Sequence, residues 1–92
     1  MFSLSMGNMP IAFYFLKVRG DGEAALKSVR NLRGSYAVDY AALVFGKYDM
    51  LVKVSGAHQN DVVRFWFDIE REVSGASVEQ KCFSPMLPER KK

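Results

Sequence analysis

The chain has 92 residues, of which 49% are hydrophobic, 13% aromatic and 25% charged, with a net charge of +3. That length allows one domain, and the composition excludes disordered, collagen-like and low-complexity classes. A body this small buries only about 60–65% of the surface its unfolded form exposes. So much apolar material therefore implies a dense core or a surface covered by another chain.

The single cysteine, Cys82, excludes a disulfide scaffold and a cysteine-rich zinc site, and it suits a reducing cytoplasm. The most apolar run, Ile11 to Leu16, is far shorter than the ~20 residues of a membrane span. The first residues lack the basic start and apolar stretch of a signal peptide. The tail Glu89-Arg90-Lys91-Lys92 carries +2 of the net charge and leaves +1 on the body. A basic stripe for nucleic acid is therefore not expected. Residues 1–9 are expected to form a loose leader, 10–85 the folded domain and 86–92 a basic tail.

Pro10 to Arg19, rich in aromatic and branched residues, reads as a first strand. Gly20-Asp21-Gly22 punctuates it, with Asp21 as N-cap of a helix from Glu23 to Arg33. Ala25, Leu26, Val29 and Leu32 recur there at helical spacing, and Gly34 is the expected terminator. Ser35 to Phe45 reads as a second strand, Gly46-Lys47-Tyr48 as a turn, and Asp49 to Ser55 as a third strand. So short a connection makes an antiparallel hairpin. A second helix starts at Gln59 or Asn60 and runs to about Val73. Val62, Phe65, Trp66, Ile69 and Val73 form its apolar stripe, with Arg64, Asp68, Glu70, Arg71 and Glu72 on the wetter side. Ala76 to Ser84 is the fourth strand, stopped by Pro85. The order βαββαβ is the α+β, ferredoxin-like plan, an antiparallel sheet with both helices on one face.

The uncovered face of such a sheet normally alternates to polar residues, and here it does not. In the first strand Phe13 and Phe15 oppose Ala12, Tyr14, Leu16 and Val18. In the third, Leu51 and Lys53 oppose Met50, Val52 and Val54. In the second, strict alternation sets Ala37 and Leu43 against Tyr36, Val38, Tyr40, Ala42 and Val44. An exposed apolar face of that size exceeds what monomers carry. Burying about 500 Å² of it would favour association by about 12 kcal/mol before association costs. A homodimer packed sheet against sheet is expected.

Residues suited to catalysis are sparse. His58, the only histidine, sits in a loop, and Cys82 falls on a strand expected to be buried, where a thiol acts as a small hydrophobe. No metal-ligand cluster and no cofactor are expected. Phe13, Tyr14, Phe15 and Trp66 suggest base stacking on RNA, but the third strand lacks the aromatic pattern of such a sheet. Core or interface packing accounts for them. The most informative stretch is Gly46-Lys47-Tyr48-Asp49. Gly46 permits positive φ. Amides and Lys47 suit a carboxylate, and Asp49 suits an ammonium.

This turn, followed by Met50-Leu51-Val52-Lys53-Val54, resembles the glycine–any–aromatic–aspartate signature of the Lrp/AsnC effector domain, also called the RAM domain. The resemblance spans Ile11 to Phe83. It implies a dimeric αβ-barrel, assembly of dimers into octamer-like rings, and amino-acid effectors bound between dimers near Gly46–Asp49. It implies a cytoplasmic, prokaryotic protein tied to transcription or amino-acid metabolism. The short segment before the first strand points to a stand-alone effector domain without helix-turn-helix, not binding DNA directly. Three departures stand out. The stretch from Gly34 to Gly46 is a few residues longer than usual, implying an extra bulge or loop. Phe45 replaces a small polar residue. Glu79 and Lys81 stand on the last strand where threonines are common. The expected effector-binding residues are therefore Phe45, Gly46, Lys47, Tyr48, Asp49, Glu79 and Lys81, in a non-enzymatic sensing module. Two alternatives remain. One is a cofactor-free αβ-barrel enzyme, monooxygenase- or isomerase-like, using Tyr14, Tyr40, Trp66 and His58. The other is an adaptor forming hetero-oligomers with full-length Lrp-like regulators.

Overall fold

The computed structural model describes residues 9–84. The expected leader up to Asn8, the stop at Pro85 and the expected basic tail lie outside the described residues. The elements are β1 (Ile11–Val18), α1 (Gly22–Arg30), β2 (Tyr36–Leu43), β3 (Met50–Gly56), α2 (Gln59–Glu72) and β4 (Ala76–Ser84). They build one four-stranded sheet in the order β2-β3-β1-β4, with every neighbouring pair antiparallel. This is the expected ferredoxin-like βαββαβ fold. Among the described residues no helix is long and apolar enough to cross a membrane.

The period-two pattern of the central strands decides where the core sits. Ala12, Tyr14 and Leu16 of β1 pair with Val54, Val52 and Met50 of β3, and all six are fully buried. Onto them α1 lays Ala25, Leu26 and Val29, while α2 adds Val62, Phe65 and Ile69. Both helices thus share one core on one face. The Tyr14 ring meets Phe65 at 5.1 Å between centroids. Its hydroxyl donates to the Val62 carbonyl at 2.5 Å, which satisfies that buried polar atom. Burial holds the Tyr14 phenol protonated well beyond the usual tyrosine range.

The first helix is capped at its start as expected. The Asp21 carboxylate accepts from the N–H groups of Glu23 at 3.0 Å and Ala24 at 3.2 Å, two donors the first turn of α1 leaves free. At α2, His58 is the N-cap residue, and the Asp61 carboxylate reaches back to accept from its N–H at 3.0 Å. A hydrogen bond with the Ser35 side chain, before any other influence, holds Asp61 below the ordinary carboxylate range.

Four expectations are corrected. Helix α1 ends at Arg30 rather than Arg33, and Asn31 closes it by donating its N–H to Lys27 at 3.1 Å and Ser28 at 3.2 Å. Gly34 is therefore not the terminator. It is small because a Cβ there would lie 2.6 Å from the Tyr36 ring. In β2 the register slips at Asp39, between Val38 and Tyr40. This bulge reverses the alternation beyond it. Ala41 turns into the core and Leu43 shares that side, while Tyr40 and Ala42 pair with Lys53 and Leu51 on the open face. Asp68, assigned to the wet side of α2, is only 8% exposed, because Tyr36 donates its hydroxyl to it at 2.6 Å. Cys82, expected to be buried, is exposed: it pairs with Phe13, on the sheet face that no helix covers.

That open face runs through Ile11, Phe13, Phe15 and Leu51, each half-buried in the single chain, with Lys53 and Ser55 beside them. The two edge strands are better guarded. Both carry a bulge, β2 at Asp39 and β4 at Glu79. Each also has a backbone group engaged by a helix side chain. Arg30 donates to the Ala41 carbonyl at 2.9 Å, and the Glu70 carboxylate accepts from the Val78 N–H at 3.1 Å. Bulges and charged side chains of this kind oppose strand addition at an edge, so the unguarded surface of the sheet is its face.

Candidate effector site at the rim of the sheet

The β2–β3 connection reaches the C-terminal end of β1, and Asp49 fastens it there. Its N–H donates to the Leu16 carbonyl at 2.8 Å, and its carboxylate accepts from the Val18 N–H at 2.8 Å. Asp49 thus brackets the last turn of the β1–β3 ladder, and its carbonyl accepts from Val44 N–H at 3.0 Å to close the hairpin. One carboxylate oxygen is committed to this structural bond. Gly46 has φ of +116°, a backbone conformation that side chains disfavour. Tyr48 lies on Phe15, 5.4 Å between ring centroids, which ties the turn to the open face. The Lys47 ammonium sits 5.7 Å from the Tyr48 ring centre, and its carbonyl accepts from Lys17 Nζ at 3.2 Å. Phe45, at the tip, is fully exposed.

Beside the turn, where β1 runs out and β4 begins, lies a groove of about 520 Å³ lined by Lys17, Val18, Arg19, Gly75, Ala76, Ser77 and Glu79. The backbone makes its floor: Arg19 N–H donates to Gly75 carbonyl at 2.8 Å. Gly75 has φ of +83°, and a Cβ there would lie 2.5 Å from the Arg19 carbonyl oxygen, so the two chains meet this closely only at a glycine. Lys17 and Ser77 are cross-strand neighbours, and the Ser77 hydroxyl donates to Glu79 at 3.2 Å.

The expected residues divide across this rim. Gly46, Lys47, Tyr48 and Asp49 gather at the end of β1, and Glu79 lines the adjoining groove. Lys81 does not join them. It pairs with the inward-facing Tyr14, and its ammonium lies 3.9 Å from the Trp66 ring centre, on the helix side of the sheet. The bulge at Glu79 separates the two charges. Lys17, Arg19 and Ser77, which sequence reasoning missed, complete the groove. The β1–β4 pairing alone brings them to Glu79. The only hint in the sequence was two cations at alternate positions where the first strand ends.

A second groove, about 550 Å³, runs between the α1–β2 loop and α2, with Arg33, Arg64, Arg71 and Asp68 on its walls. Asp68 is paired there with Arg71 at 3.2 Å. The alternative catalytic residues do not converge. Tyr14 is in the core, Tyr40 is on the open face, Trp66 is on α2 beneath Lys81, and His58 is exposed at the α2 N-terminus. Among the described residues no three metal-ligating side chains form a cluster.

No family model and no curated protein matches the sequence. Solved structures do match the fold. Escherichia coli AsnC superposes with a TM-score of 0.68 at 14% identity over all of this chain, which spans 61% of AsnC. The hypothetical protein PHS023 from Pyrococcus horikoshii gives 0.64 at 20% identity, covering 88% of this chain and 94% of its own. The transcriptional regulator NMB0573 from Neisseria meningitidis, in complex with L-methionine, gives 0.62 at 22% identity over the whole chain and 58% of its own. The chain thus shares the ferredoxin-like RAM fold of AsnC and of the regulator NMB0573, spanning about 60% of each of those chains.

Proposed function

We propose that this chain is a non-enzymatic effector-binding module that self-associates through the open face of its sheet and binds an amino acid at the rim. The observation that carries the reading is the placement of the open apolar face. Phe13, Phe15 and Leu51 lie uncovered at its centre, and Phe15 leads through Tyr48 to the Gly46–Asp49 turn. Two such faces pressed together form a dimeric αβ-barrel. The rims then project outward, where further dimers meet them in a ring. A ligand held by the turn, with Phe45 and Glu79 nearest and Lys81 on the other side of β4, lies at that seam. The L-methionine bound by NMB0573 supports a ligand of this class.

Binding regulates only as far as the ligand prefers one assembly state to another. The test is a thermal-unfolding panel of the common amino acids, with light scattering on the same samples. A ligand at ~100 times its Kd adds about 2.7 kcal/mol of apparent stability, and here it also changes the scattering mass. A flat panel at millimolar concentration contradicts sensing.

A further inference from the structure

The groove beside the turn has an unusual charge arrangement. Lys17 and Arg19 alternate along the end of β1 and line it together. Both side chains are exposed. Among the described residues the ion pairs involve only Arg64, Asp68, Arg71 and Glu72 of α2, so neither cation has an acidic partner. The one acid in the groove, Glu79, receives a hydrogen bond from Ser77 at 3.2 Å. Ser77 thereby orients Glu79 without neutralising it. Asp49, the other nearby carboxylate, is engaged with the Val18 N–H.

We infer that the groove binds an amino acid with an acidic side chain, of the aspartate and glutamate class. The inference rests on the reading of this rim as an effector site and names its ligand. Two cations and one anion mirror the two carboxylates and one ammonium of an amino dicarboxylate. A neutral amino acid occupies one cation and Glu79, and leaves the other cation unmatched. A dicarboxylate without the amine occupies both cations and leaves Glu79 facing a carboxylate. Arg19 supplies a planar fork that can hold a carboxylate through two bonds, and Lys17 supplies a point charge held in place by its bond to the Lys47 carbonyl. At about 520 Å³ the groove has the size of a small-molecule site.

The test is calorimetric titration of the full chain with glutamate, aspartate, glutamine, methionine and glutarate at low salt. Glutamate or aspartate is expected to bind on the order of tenfold more tightly than glutamine, the worth of one charge-assisted contact. Glutarate is expected to bind more weakly than glutamate. Arg19→Ala should remove the preference for glutamate over glutamine. Glu79→Gln should remove the preference for glutamate over glutarate, and the wild-type comparisons stand even if a variant misfolds. Raising the salt should shrink the preference, because the groove is open to solvent. If glutamine or methionine binds as tightly as glutamate, the ligand class is wrong and the effector reading survives. If no amino acid binds, both fall.

Discussion

On one side of the sheet Ala12, Tyr14, Leu16, Met50, Val52 and Val54 lie beneath two helices with no exposure at all. On the other side their immediate neighbours in sequence, Ile11, Phe13, Phe15 and Leu51, have no helix over them, and only the Tyr48 ring lies against Phe15. The strands are the same, and the residues are comparably apolar. The difference lies in what the chain supplies as cover. One face is completed within the chain and sets its stability, while on the proposed reading the other is covered by a second copy and sets its assembly. Substitutions on the two faces should therefore separate into different measurements.

The largest effect is expected on the covered side. Phe65→Ala empties the space between Tyr14 and Tyr36, whose rings it meets at 5.1 and 5.2 Å. It should lower the unfolding free energy by about 3–5 kcal/mol in a denaturant titration. Phe15→Asp on the open side should act the other way round. Assembly falls sharply, while the stability of the dissociated chain changes little. Equal loss of stability from both would break the distinction.

The rim, where the two faces meet, should be next in sensitivity. Gly75→Ala must adopt a positive φ and push a methyl towards the Arg19 carbonyl, destabilising by about 2 kcal/mol or more. Asp49→Ala removes the acceptor of the Val18 N–H and should reduce stability by about 2 kcal/mol. Asp49→Asn keeps an acceptor and should restore much of it. If Asn proves as damaging as Ala, the charge at that position matters beyond its hydrogen bond.

The smallest effect concerns pH. Asp61 has its pKa lowered in the folded chain, first by the bond to Ser35. Its contribution is therefore present above the ordinary carboxylate pKa, and it disappears as pH falls through the lowered folded value. The acid limb of a stability–pH profile should flatten in Asp61→Asn and change less in His58→Ala, which removes the nearby His58 charge but keeps the Ser35 bond and the backbone N–H that Asp61 accepts.

The fold was legible because each signal was local. Asp21 marks a helix start, the hairpin connection is short, and Phe13 and Phe15 alternate with Ala12, Tyr14 and Leu16. The features that escaped depend on contacts far apart in sequence. The length from Gly34 to Gly46 announced an extra bulge or loop, but not that it falls at Asp39, where it moves Tyr40 and Ala42 to the open face. Asp68 belongs among polar neighbours on its helix until Tyr36, from another element, arrives to donate a hydrogen bond. Cys82 was placed inside because it lies on a strand, but that strand is an edge and its side faces out. The turn Gly46–Asp49 was singled out from its motif, whereas Lys17, Arg19 and Ser77 meet Glu79 in one groove only through the pairing of β1 with β4.

Sedimentation equilibrium of the wild-type chain and Phe15→Asp over a dilution series tests the covering of the open face most directly. The account predicts that wild type sediments as a dimer or a multiple of it at micromolar concentration, and that Phe15→Asp sediments near the 10.4 kDa of one chain. A wild-type chain that sediments as a single well-behaved 10.4 kDa particle at every concentration contradicts it.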